Sequence, residues 1–277
     1  MSDNWIVELL QNALTTWNNK LNEVWTLIST SPEAFKGGAV WSVIQNIHGG
    51  LKAIGYALLV LFFVVGVVKT CGSFAEVKRP EVAVKMFVRF ALAEAAITYG
   101  MELLLAVLSI CQGVISSIMS ASGMGGQTAL SLPGTIVTAI ESVGFLDSIP
   151  LWIVSLLASL LITVLSFVVV LTVYSRFFKL YFHAAIAPVA LASFAGQPSQ
   201  SIGVSFLKSY AGVCLEGAII VLACVIYSAF ATSAPAVSGT TAVNMVWSYI
   251  GELVFNLLVL VGAVRLADQS VKQMLGL

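Results

Sequence analysis

The stretch from Leu151 to Tyr174 contains no charged residue, and a run of that length has few ways to fold. A helix crosses a bilayer in about 20 mostly apolar residues. Within lipid, every backbone N–H and C=O has to be satisfied inside the protein. The runs Ala53–Val68, Phe206–Phe230 and Met245–Leu266 are also predominantly apolar, so a single anchor is excluded. Transmembrane barrels alternate apolar and polar residues in segments of about 10. These runs are continuously apolar, and helices follow. Composition agrees: 9% of the 277 residues are charged and mean hydropathy is +0.99, whereas a soluble chain carries about 25% charge to face water. The fold class is an all-α polytopic membrane protein, expected in the cytoplasmic membrane.

Net charge is zero and no long basic run occurs, which removes the usual footprint of a duplex-binding domain. Cys71, Cys111, Cys214 and Cys224 lack paired or metal-ligand spacing and read as small apolar residues of packed helices. His48 and His183 are the two histidines, each without a metal-spaced partner. No phosphate-binding loop, zinc-protease motif or serine-nucleophile motif is present, and no catalytic cluster converges. No enzyme activity, cofactor or metal is expected. The N-terminus MSDNWIVELLQN has acids where a cleaved signal needs positive charge, so none is expected.

Residues 4–30 read as an amphipathic helix, with Trp5, Leu9, Leu10, Leu14, Trp17, Leu21 and Trp25 near helical spacing. Such a stripe lies in the membrane interface or packs on a partner. Ser31-Pro32 ends or interrupts it, and Gly37-Gly38 and Gly49-Gly50 bracket a short apolar piece. The chain therefore divides into a 1–50 interfacial region and a 51–277 transmembrane domain. From Pro80 to about Ser120 no proline occurs, and one long helix, projecting from the membrane, is expected there. Loops are read at 121–128 and 235–241, and a short interfacial helix within 129–149.

Cytoplasmic loops are enriched in Lys and Arg. With spans at 53–69, 90–112, 151–174, 206–230 and 246–266, an outside N-terminus and inside C-terminus leave only Lys20, Lys36 and Lys52 outside. Counting 177–196 as a sixth span nearly removes that asymmetry. Five spans are therefore expected, with 177–205 as a re-entrant or interfacial element on the cytoplasmic side. Pro188 in its middle suits that reading. There Arg176 and Lys179 are expected at the headgroups, with Phe177, Phe178, Tyr181 and Phe182 at the same depth.

Ionisable residues inside spans are costly in lipid and face partners or water. Glu94 and Glu102 are two turns apart on the long helix. Glu216 lies in the fourth span. Glu252 and Asn256 share a face of the fifth, where Arg265 and Asp268 form an i, i+3 pair. These groups serve either as interhelical hydrogen bonds of a bundle or as the polar face of a conduit or subunit interface. Ala91, Ala95 and Ala96 permit close helix approach, and a homo-oligomer is expected.

The stretch YSRFFKLYFHAAIAPVALASFAGQPSQSIGVSFLKSYAGVCLEGAIIVLA, beginning at Tyr174, resembles the TrbL family, the polytopic inner-membrane subunit (sixth VirB component) of conjugative type IV secretion systems. The matching parts are Arg176, the aromatic turn Phe177–Phe182, Ala187-Pro188-Val189, Gln197-Pro198-Ser199, and the span from about Phe206. The resemblance covers the last half of the chain, and the first half matches in layout only. It implies a channel or scaffold subunit that helps move a relaxase-DNA substrate across the cytoplasmic membrane. Such a subunit works beside other secretion-system subunits, including a membrane-associated ATPase, and contacts the translocated substrate transiently. The chain is short for the family, which implies a single-membrane, Gram-positive source. Arg176, Lys179, His183 and Pro188 would then form an element at the cytoplasmic entrance. The competing reading is a small-solute transporter or channel using Glu94, Glu102, Glu216 and Glu252 as its polar path. Five spans without half-to-half similarity do not suit the usual inverted repeats of transporters.

Overall fold

A computed structural model describes residues 4–70, 80–121, 129–231 and 241–277. Cys71, Lys78, Arg79, the loop 122–128 and nearly all of the loop 235–241 lie outside the described residues. Eight helices run in order: α1 Trp5–Ser29, α2 Ala39–Thr70, α3 Pro80–Thr98, α4 Gly100–Ala121, α5 Gly134–Glu141, α6 Phe145–Leu191, α7 Gln200–Ala231 and α8 Ala242–Leu275. Short 3-10 turns stand at Phe35–Gly38 and Ala192–Ala195. No strand occurs among the described residues.

Five stretches are long and apolar enough to cross a membrane: Phe35–Lys69, Gly100–Ala121, Ser148–Ala195, Gln200–Ser228 and Ala242–Leu275. The number is as expected, but several limits move. The first begins well before residue 53, since α2 runs unbroken through Gly49-Gly50. The second begins at Gly100 rather than near 90. Large apolar residues on these helices remain exposed, among them Val60, Leu61, Val64, Leu157, Leu160, Leu171, Ile226 and Phe255. Surfaces of that kind suit a lipid solvent, not water.

The described residues form two compact units. One is drawn from Met1–Ser29, Ile115–Tyr174 and Ile219–Ala267; the other from Thr30–Val114, Ser175–Ala218 and Asp268–Leu277. In the first unit α1 is fixed at its start by Asn4, whose Oδ1 accepts from the Ile6 N–H, as an N-cap side chain does. Ile6, Leu10, Leu14, Trp17, Val24 and Ile28 are buried, so α1 packs into its own unit, whose core also holds Ile136, Ile140, Leu151, Ile162, Leu253 and Leu257. The buried stripe is offset from the expected one: Trp17 is covered but Trp5 is half exposed, resting on Trp152 with ring centroids 5.2 Å apart. Asn18 holds the segment before α5 by two bonds, donating to Leu130 O and accepting from Leu130 N–H.

In the second unit the expected helix from 80 to 120 is two helices. The last bond of α3 runs from Tyr99 N–H to Ala95 O, and the first of α4 from Leu103 N–H to Tyr99 O. Glu94 and Glu102 thus belong to different helices. The element 177–205 also differs from expectation. It does not break at Pro188: α6 continues as one helix of 47 residues to Leu191, about 70 Å at 1.5 Å per residue. The chain then reverses through Ala192–Ser199, where a reversal was expected, and α7 starts at Gln200 rather than near Phe206. The 177–205 element is thus the end of α6, a turn and the start of α7.

α2 clasps this hairpin. Its buried residues are Trp41, His48, Gly55, Leu59 and Gly66, a stripe at spacings of seven and four that marks one helix face. Its two glycines leave little room for a side chain: a Cβ on Gly55 would stand 2.8 Å from Pro188 O, and one on Gly66 3.2 Å from Gly196 Cα. The entry to α2 needs left-handed backbone at Lys36, Gly37 and Gly38, which glycine supplies without a Cβ clash.

Candidate functional site

The polar residues of the second unit gather on the end of α6. Three of them, Arg176, Lys179 and His183, lie on one face at i, i+3 and i+7.

Arg176 is 3% exposed, its side chain turned to neighbouring helices. Its Nε donates to Val213 O and its Nη2 to Cys214 O, both at 3.3 Å, across to α7. These carbonyls have second lone pairs to offer. Gly217 supplies the seat, because a Cβ there would lie 2.6 Å from Arg176 Cζ. A large cation between helices is stable only when its donors meet acceptors in this way. Its aromatic neighbours divide similarly. Phe177 stacks on Phe35 at 4.3 Å, and the Tyr181 hydroxyl donates to Pro32 O. Phe178 and Phe182 are exposed.

Lys179 carries the ion network. Its Nζ donates to both oxygens of Glu216 on α7, at 3.3 and 3.2 Å, and to Asp268 Oδ1 on α8 at 2.9 Å. Asp268 Oδ2 accepts from Lys272 Nζ at 2.8 Å. The expected local pair of Asp268 with Arg265 gives way to these partners. Glu216 is 1% exposed, so its charge is balanced by Lys179 and not by water. His183 donates from Nδ1 to Lys179 O at 2.7 Å, which leaves Nε2 to accept from Ser209 Oγ at 3.1 Å. Tyr210, one residue on, donates to Leu104 O. Together these bonds tie α4, α6, α7 and α8.

Pro188 has no N–H, so the carbonyl four residues before it, Ala184 O, loses its helical donor. His48 Nδ1 donates to that carbonyl at 2.7 Å. The proline therefore costs α6 one bond, replaced from α2. His48 is buried, and its Nε2 has no partner. The sequence marks His48 only as a histidine without a metal-spaced partner. The signal was the seven-residue recurrence Trp41, His48, Gly55, together with the orphan carbonyl that any helical proline creates.

A second polar cluster mends the break between α3 and α4. Lys52 Nζ donates to Thr98 O at 2.8 Å. Thr98 Oγ1 donates to Glu94 Oε1 at 3.0 Å, so the Tyr56 hydroxyl donates to Thr98 Oγ1 at 2.9 Å. The sequence names Lys52 only among the cations counted for orientation, and does not mark Tyr56. Glu94 joins this cluster, Glu216 joins Lys179, and Glu102 is exposed in the first turn of α4. Glu252 and Asn256 lie half-buried on α8 in the first unit. Among the described residues no three His, Cys, Asp or Glu gather in a metal-binding group.

The family described as TrbL/VirB6 plasmid conjugal transfer like protein matches residues 17–188. The match corrects the extent of the resemblance: it takes in most of the first half and ends at Pro188, so the α7 part lies beyond it. No curated protein matches the chain, and no solved structure does.

Proposed function

Since the chain belongs to the TrbL/VirB6 plasmid conjugal transfer family, a group of structural membrane components of secretion systems, we propose that it is a channel or scaffold subunit that helps move a relaxase-DNA substrate across the cytoplasmic membrane. The family match over residues 17–188 carries this reading. The subunit works as a homo-oligomer beside a membrane-associated ATPase and other secretion-system subunits, and does not itself catalyse a reaction. Its N-terminus is outside and its C-terminus inside. The α6–α7 hairpin, with Arg176, Lys179, His183 and Pro188, forms the cytoplasmic entrance where substrate or ATPase is met. Its geometry suits that role: α2 backs the hairpin on one side, the Lys179 network braces it to α8, and Phe178 and Phe182 remain free on its surface.

Conjugative DNA transfer measured in a host lacking the gene tests the proposal. Transfer should be lost and restored by the wild-type chain in trans. Phe178→Ala/Phe182→Ala, which removes no internal contact of Arg176 or Lys179, should restore membrane insertion but not full transfer. Parental transfer without the gene would overturn the function. Full transfer with the double variant would remove the hairpin from the entrance.

A further inference from the structure

Among the described residues Cys111, Cys214 and Cys224 are buried and unbonded. Two of them are neighbours. Cys111 follows Leu104 and Leu108 on the buried face of α4. Cys214 stands one turn after Tyr210 on α7, whose hydroxyl donates to Leu104 O. The Cys111 and Cys214 thiols face each other across these helices, close enough to share a hydrogen bond. We propose that the two form an oxidation site, a dithiol that a small hydroperoxide converts to a disulfide tying α4 to α7.

Geometry, burial and charge each bear on that chemistry. Thiols that meet have side chains pointing together, which a disulfide requires. Cys111 is 5% exposed and Cys214 0%, so Cys111 meets the oxidant first, and only an uncharged reagent of few atoms reaches it. Its sulfur attacks the O–O bond, and its proton passes to the departing oxygen. A sulfenic acid forms, and an alcohol is released, or water from hydrogen peroxide. The Cys214 sulfur then attacks the sulfenic sulfur, and the hydroxyl leaves as water with the Cys214 proton. Two thiols have lost two electrons, and the hydroperoxide has gained them. Arg176 stands beside the pair. Its Nη2 donates to Cys214 O at 3.3 Å, and no ion pair among the described residues engages it. A cation so placed offsets the negative charge that builds on an attacking sulfur. Cys224 lies in the other unit and has no thiol partner among the described residues, so it serves as the internal comparison.

The test uses the full chain carrying Cys71→Ser in mild detergent. It is treated with hydrogen peroxide, then unfolded and alkylated, and its peptides are mapped by mass spectrometry. Two peptides joined through Cys111 and Cys214 are expected, two hydrogens lighter than their sum and separated by a phosphine, with Cys224 alkylated. Cys214→Ser should stop at a sulfenic acid on Cys111, trapped by dimedone, and Cys111→Ser should leave Cys214 unoxidised. The tied chain should unfold at a higher temperature than the reduced one, because the bond closes a loop of about a hundred residues. Oxidised glutathione, large and charged, should leave the pair reduced. Free Cys111 and Cys214 after peroxide, or equal oxidation of Cys224, would overturn the site and leave the pair as inert packing residues. A disulfide made equally by glutathione, or one without a rise in unfolding temperature, would overturn it as the chemistry of an opened chain.

Discussion

A cation placed between apolar helices has either to reach water or to find acceptors nearby. Arg176 and Lys179, three residues apart, take the second course in different ways. Arg176 uses backbone carbonyls beside Gly217; Lys179 uses carboxylates from two helices. The pairing of Lys179 with buried Glu216 makes a sharp prediction. Removing one partner leaves an uncompensated charge, which costs about 3–5 kcal/mol, whereas neutral replacement of both is often nearly free. Lys179→Met should therefore lower the thermal unfolding midpoint strongly, and Lys179→Met/Glu216→Gln should recover most of the loss. If the double variant is as unstable as the single one, Lys179 acts through packing or Asp268 instead. Sequence marked all three residues, because charges in apolar runs stand out. It did not show what Arg176 would bond to, because long cations commonly reach for headgroups. Nothing in the local pattern announced that Gly217, forty-one residues on, would leave a seat for it.

At the scale of elements, apolar runs announced helices, but their ends depended on distant partners. The break at Tyr99 has no proline to signal it. Gly100 is the only local hint, and it packs where a Cβ would meet Leu191 Cδ1 at 2.9 Å. The freed Thr98 carbonyl is taken by Lys52. Pro188 gave the opposite error, a break where none occurs, because His48 supplies the missing donor from another helix. That exchange is testable by a double-mutant cycle. His48→Ala leaves Ala184 O and the space around it unsatisfied, at about 1–3 kcal/mol. In a Pro188→Ala background residue 188 regains its N–H, and the same His48→Ala change should cost clearly less. Equal costs in the two backgrounds would show that His48 stabilises by packing alone. Gly55 sets a further condition: its substitution by Ala drives a methyl toward Pro188 O and should destabilise by about 1–3 kcal/mol, as overpacking does.

For the whole molecule, the number of spans was legible because hydrophobic length is set by the bilayer, whereas orientation rests on where cations accumulate. Lys69, Lys85 and Arg89 lie between the first and second spans. Arg176, Lys179 and Lys208 lie toward the α6–α7 turn, and Lys272 near the end of α8. We propose that with five crossings these groups fall on one side of the membrane, the side that the positive-inside rule assigns to the cytoplasm. The longer helices do not change this parity: extending α6 to Leu191 and starting α7 at Gln200 keeps the reversal between the third and fourth spans. Single cysteines at exposed Glu8, Glu141, Gln200 and Leu277, introduced after removal of the native ones, test the arrangement in intact cells. A membrane-impermeant maleimide should label positions 8 and 141 from outside, and positions 200 and 277 only after lysis. Labelling of position 200 in intact cells would move the hairpin across the membrane and restore a sixth crossing. It would also separate the hairpin from any cytoplasmic ATPase, so the entrance role would fall with the topology while the family membership stood.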